Sequence, residues 1–469
     1  MKDVENCIWL GNRILEMELF SDPKRSTLGG FPWRISPEPF HLDRELVERI
    51  EELGHHLLKF YKALNSIYFS SVRGTAPHWI SWYLDLGKPE VVVEYGRMRR
   101  FRSQMPPVIR PDLFITEEGM AITELDSVPG GMGLLAGISM VYSDLGYEIV
   151  GGRDGMAKGF MEAMKALVPD VEDPLVAIVV SEESASFRPE MKRLSEMMVD
   201  LGMRAFVIEP KDPMFSEEGL FLRIDGEASR IDVLYRFFEL FDLKNIPKWE
   251  LMFYAAKKRK VMMTPPPKAF LEEKMAMALF HHPSLVELWM ERMGKESVEL
   301  LRKLFPMTWI MDPRDIPPHA VIPGLSAGGK AIQNFMDLSG ASQKERRLVI
   351  KPSGFSELAW GSRGVRIGHD MSAEKWRESI EMALRSFPNP VYILQEFKPS
   401  KLFDARYYDP ISGDIKEMKG RVRLSPYYFV IGEEAKLGGI LATICPPDKK
   451  LVHGMVDAIM VPVLARGSP

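Results

Sequence analysis

Between Asp43 and about Tyr61, apolar Leu46, Val47, Ile50, Leu53, Leu57 and Leu58 fall on one stripe of a 3.6-residue period. That spacing predicts a first helical layer. Around Val91–Val93 and across Leu113–Leu125 the pattern becomes extended. Ile122-Thr123-Glu124-Leu125-Asp126 alternates apolar and polar side chains, as a strand with one covered face does. Pro129-Gly130-Gly131 breaks this strand and leads into an apolar helix.

From Pro174 the chain reads as a βαβ element. LVAIVV (175–180) is a buried strand, Arg188 to Leu201 a helix, and RAFVIEP (204–210) the next strand. RIDVLYRFFEL (230–240) follows as a further strand or strand–helix junction. The pattern predicts an α/β (α+β) chain of four parts. Residues 1–150 hold a helical segment and a hairpin, and 151–262 a parallel-sheet domain. Residues 263–346 form a linker or lid with a helix at FLEEKMAMALF (270–280), and 347–469 a β-rich unit. The third part is marked off by the triple proline Pro265–Pro267, and its residues 313–346 are rich in Pro, Gly and polar side chains. The fourth opens with RLVIKPSGF (347–355) and continues through a Gly-bearing loop, strand GVRIG (364–368) and helix Ala373–Leu384. Strand VYILQEF (391–397) and several strands through RVRLSPYYFVIG (421–432) complete it.

Composition narrows the chemistry. At 469 residues two to four packed units are expected, and 46% hydrophobic with 27% charged residues is ordinary for a globular chain. A net charge of −4 gives no global basic field for nucleic acid, so acidic ligands have to be met by local Lys and Arg clusters. Two cysteines, Cys7 and Cys445, make neither a disulfide framework nor a zinc spacing, which fits a reducing cytoplasm. The longest uncharged run, Ser127 to Ser143, is shorter than a membrane span needs, and the Asp3- and Glu5-bearing start lacks a signal pattern. No membrane or nucleic-acid partner and no targeting segment are expected.

Two constellations carry chemistry. Lys351 ends an apolar strand, and the loop GFSELAWGSRG (354–364) turns back into GVRIG. Glycines let backbone N–H groups approach phosphates closely, so Gly354, Gly361 and Gly364 with Lys351 can hold them. Forty residues on, Gln395-Glu396-Phe397 ends a strand suited to an adenine edge, with Phe397 against the ring. Taken singly, each piece reads equally as a surface hairpin or a buried strand. In the second constellation, Arg110 and Asp112 share one strand face, as do Glu124 and Asp126. A hairpin turning at Glu118-Gly119 would bring Asp112, Glu124 and Asp126 together as oxygen ligands for Mg²⁺, with Mn²⁺ an alternative. A solvated hairpin of alternating charges is the plain alternative. Gly324–Lys330 has the spacing of a P-loop, but Ala331 stands where Ser or Thr would bind Mg²⁺ and no buried strand launches it, which favours a lid. His281-His282 has no partner at metal-ligand spacing and reads as a helix end.

Arg110-x-Asp112 followed by Glu124-x-Asp126 resembles the magnesium and oxyanion site of glutathionylspermidine synthetase-like ATP-grasp enzymes. Asp126 stands where that family usually has Asn. FLEEKMAMALFHHPSL (270–285) resembles the family's helix with an ATP-contacting lysine, which would be Lys274. Lys351-Pro352 is similar to its second lysine strand, Gln395-Glu396 to its adenine hinge, and RIDVLYRFFEL to the end of its preceding domain. The family's compact Gly-Arg-Glu-Gly turn is replaced by a longer loop reaching Gly361-Ser362-Arg363-Gly364. The resemblance implies an ATP-grasp fold in circularly permuted order, with a pre-ATP-grasp domain at 151–262. It implies an ATP- and Mg²⁺-dependent carboxylate–amine ligase acting through an acyl phosphate on small molecules, such as a peptide or polyamine-like substrate. Lys274 and Lys351 would hold phosphates, and Asp112, Glu124 and Asp126 one or two Mg²⁺ ions. Arg110 would stabilise the oxyanion, and Arg363 would add charge over the phosphates. A small-molecule kinase or an inactive nucleotide-binding protein on the same fold are the alternatives.

Overall fold

The computed structural model describes residues 1–19, 30–317, 320–359, 363–449, 452 and 457–467. The chain is a mixed α/β protein with several sheets. Six strands of the largest sheet run in the order Phe40–Asp43, Ile459–Arg466, Glu434–Cys445, Asp414–Ile431, Val108–Thr116, Gly119–Asp126. Leu402–Asp409 also pairs with Asp414–Ile431. The hairpin near residue 120 thus forms one sheet with strands some 300 residues further along. An all-parallel sheet of Met262–Thr264, Val233–Phe237, Leu175–Val180 and Arg204–Ile208 is the second. Thr308–Ile310, Tyr392–Glu396, Leu348–Pro352 and Arg366–Ile367 form the third, antiparallel throughout. The strands after residue 347 are therefore divided between the first and third sheets.

The elements follow the pattern where burial is one-sided. Leu175–Val180 is buried at every position, as a parallel strand covered on both faces must be. Each of its Leu, Val and Ile side chains contributes roughly 1.5–3 kcal/mol of transfer free energy. The first helix layer is longer than its pattern, Arg44–Val72. Its apolar stripe continues past Tyr61, with Phe60 stacked on Trp289 and Tyr68 on Phe270. Val91–Val93, expected extended, lies in a helix, Glu90–Arg97. Pro89 stands at its N-cap and only Val92 and Gly96 are buried, so packing of one helical stripe overrides the β preference of three valines.

Two glycines set the approach of the parallel-sheet layer to the hairpin. Gly131 adopts φ +89° at the N-cap of helix Met132–Asp144. A Cβ on Gly133 would lie 1.7 Å from the carbonyl oxygen of Glu190, so helix Arg188–Asp200 can cross there only over a glycine. Among the described residues no helix is long and apolar enough to cross a membrane. Cys7 and Cys445 are buried free thiols.

Candidate active site

Register alone places the hairpin residues. Asp112 stands opposite Glu124 and Arg110 opposite Asp126, with a bulge just after Asp112. Leu348–Pro352 pairs with Tyr392–Glu396 so that Lys351 faces Ile393 and Val349 faces Gln395. The two regions meet in a cleft lined by Asp112, Thr123, Glu124, Val349, Lys351, Ile367, Gln395, Phe397 and Arg423, among others. Segments more than 200 residues apart in the chain thus form one site.

On the hairpin side each carboxylate has a cation. Asp112 is met by Arg423 at 3.1 Å and by Arg110 at 3.4 Å, and Ser425 donates to it at 3.4 Å. Burial pushes its carboxyl up, but Arg423, Arg110 and Lys351 outweigh this and hold it below the usual range. Asp126 pairs with Arg110 at 3.1 Å and accepts the Val128 N–H at 2.9 Å; burial wins there and its carboxyl is raised. Glu124 pairs with Lys274 at 2.8 Å. Burial disfavours the Lys274 ammonium, yet Glu124 beside it leaves the ammonium raised. Arg110 also donates to the Gly130 carbonyl at 3.1 Å, as does the Tyr427 hydroxyl at 2.7 Å.

The expected trio of metal ligands is therefore differently arranged. Among the described residues no group of three or more His, Cys, Asp or Glu side chains is placed to hold a metal. Asp112 and Glu124 face each other, while Asp126 is drawn aside by Arg110. Two carboxylates still suit Mg²⁺, which is commonly held by one or two of them plus substrate phosphates.

Lys351 is different. It is buried, and its ammonium donates to two neutral oxygens, Gln395 Oε1 at 2.9 Å and the Thr123 carbonyl at 3.2 Å. Burial depresses this ammonium, and nearby Lys274 adds to the effect while Glu124 and Asp112 oppose it. Gln395, expected at an adenine hinge, is buried with its side chain on Lys351, Thr308 and Met277, so it positions the lysine. The amides of Glu396 and Phe397 donate to the Met307 and Arg347 carbonyls. Phe397 meets His369 edge-on, 4.5 Å between centroids. Both rings line an adjoining recess with Arg347 and Arg421.

Two glycines of the loop, Gly354 and Gly364, are used for packing. A Cβ on Gly354 would lie 2.4 Å from the Glu272 carbonyl, and one on Gly364 would lie 2.8 Å from that of Leu358. Gly361 lies outside the described residues. Arg363 is exposed and 3.5 Å from Glu183 of the parallel-sheet layer. The loop is anchored by a network the sequence reading missed. Ser353 donates its hydroxyl to buried Glu273, which pairs with buried Lys88 at 2.5 Å. The amide of Lys274 donates to the Ser353 carbonyl at 3.1 Å, fixing one lysine relative to the other. Glu190 was missed too. It is buried and accepts the Gly131 and Leu134 amides at 2.7 and 2.8 Å, and burial pushes its carboxyl up to about 7. Arg423 and Ser425 were legible in principle, since Arg421, Arg423 and Ser425 share one strand face at period two.

Gly324–Lys330 forms a small hairpin, Ser326–Ala327 with Lys330–Ala331, and the element after it is a short 3-10 helix, Phe335–Gly340, not the α-helix that a P-loop launches. His281 ends helix Met275–His281 and bonds the Phe305 carbonyl at 3.1 Å; burial lowers it to about 4.

No family model matches the chain, and no curated protein matches it. Among solved structures it is similar to a glutathione synthetase-like effector from Globodera pallida in apo form. The identity is 11%, the TM-score is 0.56, and 99% of this chain and 97% of that one are covered. A protein from Methylobacillus flagellatus, provisionally described as a gamma-glutamylcysteine synthetase, aligns at 12% identity over 89% of this chain and 87% of its own. Its TM-score of 0.43 is too low to carry an argument. The first likeness is one of fold, and it extends over nearly the whole of both chains.

Proposed function

We propose that the chain is an ATP-dependent ligase of the ATP-grasp type, joining a carboxylate to an amine. The observation that carries this reading is Lys351, a buried ammonium with only neutral oxygens as hydrogen-bond partners, set beside Lys274 in a cleft between two sheets. A phosphate chain supplies the missing negative charge. The fold likeness to a glutathione synthetase-like protein supports the same class. So does the chain order, with the carboxylate hairpin before the lysine strand, as in the permuted family that the motifs resemble. On this reading residues 151–262 are the pre-ATP-grasp domain.

Lys351 and Lys274 hold the phosphates, Lys274 exchanging part of its contact with Glu124. Asp112 and Glu124 would hold Mg²⁺, which would supply positive charge beside the phosphates. With both sheet amides of Glu396 and Phe397 already used, the adenine edge is read by the Glu396 carbonyl and the Lys398 amide. The substrate carboxylate attacks the γ-phosphorus and ADP leaves; the amine then displaces phosphate from the acyl carbon, losing a proton as the amide forms. Arg110, beside the Gly130 carbonyl, stabilises the oxyanion of that step. Arg363, at an exposed rim, closes over the phosphates only by leaving Glu183.

ADP release is the test, measured with pooled small carboxylates, with and without pooled amines. Dependence on both pools is the expected result. Turnover with carboxylates alone would make the protein a kinase, and nucleotide binding without turnover would make it an inactive relative.

A further inference from the structure

Residues Arg97 to Arg102 carry four arginines in six positions, in a chain of net charge −4. Arg97 is engaged by Asp85 at 2.6 Å. Arg99 and Arg102 instead line a concavity of about 420 Å³ together with Arg73, the residue that caps helix Arg44–Val72. Ser66 and Ser103 add hydroxyls to its wall. Among the described residues none of these three arginines is in an ion pair. Arg73 reaches only the Ser70 hydroxyl at 3.4 Å, and Arg102 lies over the Phe69 ring, 5.4 Å from its centroid.

A lysine lies behind the wall. Lys268 is fully buried, and its ammonium donates to Asn65 Oδ1 at 2.8 Å and to the Arg102 and Gln104 carbonyls at 2.9 and 2.7 Å. All three acceptors are neutral, and burial alone depresses the ammonium to about 7. Asn65 itself lines the concavity, so the lysine lies directly behind its wall. Three arginines converge on a hollow of small-molecule size with no carboxylate paired to any of them among the described residues.

We propose that this basin is a second ligand site, taking a small molecule that presents two or more clustered phosphates. Guanidinium forks match phosphate oxygens in pairs, and the serine hydroxyls add to the same preference. The hollow shares no lining residue with the nucleotide cleft and stands independently of the ligase reading. The residues behind its wall are nonetheless joined to that cleft: Gln104 leads into the strand bearing Arg110 and Asp112, and Lys268 precedes Lys274 in one short segment. A phosphorylated lipid headgroup offers the same chemistry as a soluble polyphosphate, and the test separates the two.

Inorganic pyrophosphate is titrated calorimetrically into the full chain, into Arg99→Gln/Arg102→Gln and into Lys351→Met. Both arginines are exposed, so the double variant should fold as the parent does; Arg73→Gln is a second, independent probe. The expected result is a binding event retained in Lys351→Met and weakened about tenfold or more for each arginine removed. Co-sedimentation with phosphatidylcholine vesicles, with and without phosphatidylinositol 4,5-bisphosphate, forms the second arm. Arginine-dependent capture by the doped vesicles assigns the site to a lipid headgroup; pyrophosphate binding without capture assigns it to a soluble ligand. Pyrophosphate affinity and stoichiometry unchanged in both Arg99→Gln/Arg102→Gln and Arg73→Gln would overturn the proposal.

Discussion

On the carboxylate hairpin, Asp112, Asp126 and Glu124 are each matched by Arg423, Arg110 or Lys274 within 3.1 Å. On the facing strand, Lys351 is buried, more so than Glu124 or Asp126, and is matched by an amide oxygen and a backbone carbonyl. One side of the cleft has settled its charge within the protein, and the other has not. Buried ion pairs are kept at a desolvation cost and collapse when one member is removed, whereas a buried lone ammonium costs stability until an anion arrives. The hairpin therefore keeps its geometry without a ligand, and the lysine strand is where an arriving anion gains most.

The hairpin half is tested hardest by Arg110→Ala. It leaves Asp126 without its cation and Asp112 with Arg423 alone, and denaturant unfolding should show a loss of about 3 kcal/mol. A loss below about 1 kcal/mol would mean that the carboxylates do not depend on this arginine. Glu190 gives the pH dependence. Its carboxyl is raised from its ordinary value to about 7, so the stability it contributes is complete below about 4.5 and is lost as pH rises to about 7. Relative to Glu190→Gln, the parent should fall by on the order of 3 kcal/mol across that window and stay level above it. Parallel stability curves for the two proteins would contradict the burial argument.

Metal and nucleotide should stabilise together, because phosphates complete what two carboxylates begin. At saturation of the order of 100 times Kd the gain is about 2.7 kcal/mol. Thermal shifts should lose the Mg²⁺–ATP synergy in Glu124→Gln and keep it in Asp126→Asn, since Asp126 belongs to Arg110. Equal synergy in the parent and both variants would reduce the hairpin to a set of ion pairs. The smallest effect is on Lys351→Met without nucleotide: stability within about 1 kcal/mol of the parent or above it, because the substitution removes a desolvated charge. A large loss would place Lys351 among the structural cations.

Sequence periodicity revealed the hairpin, the lysine strand, the parallel layer and most helices, because each buries one face or both. It misassigned Val91–Val93, where tertiary packing of Val92 decides, and it joined strands after residue 347 that the fold distributes over two sheets. Spacing singled out Asp112, Glu124 and Lys351, which line one cleft, but not their partners. Arg423 lies more than 300 residues from Asp112, and Glu190 reaches the Gly131 amide only because Gly133 lets two helices meet. Charge matching is set by long-range contacts, so the contrast between the two sides of the cleft was not readable from local pattern.

The central claim concerns one lysine, and calorimetric titration of ATP with Mg²⁺ into the parent and into folded Lys351→Met addresses it directly. Binding should be present in the parent and weakened at least about tenfold in the variant, as the loss of a charge-assisted phosphate contact requires. Equal affinity in the two proteins would contradict the claim that the lysine strand is built to receive phosphate.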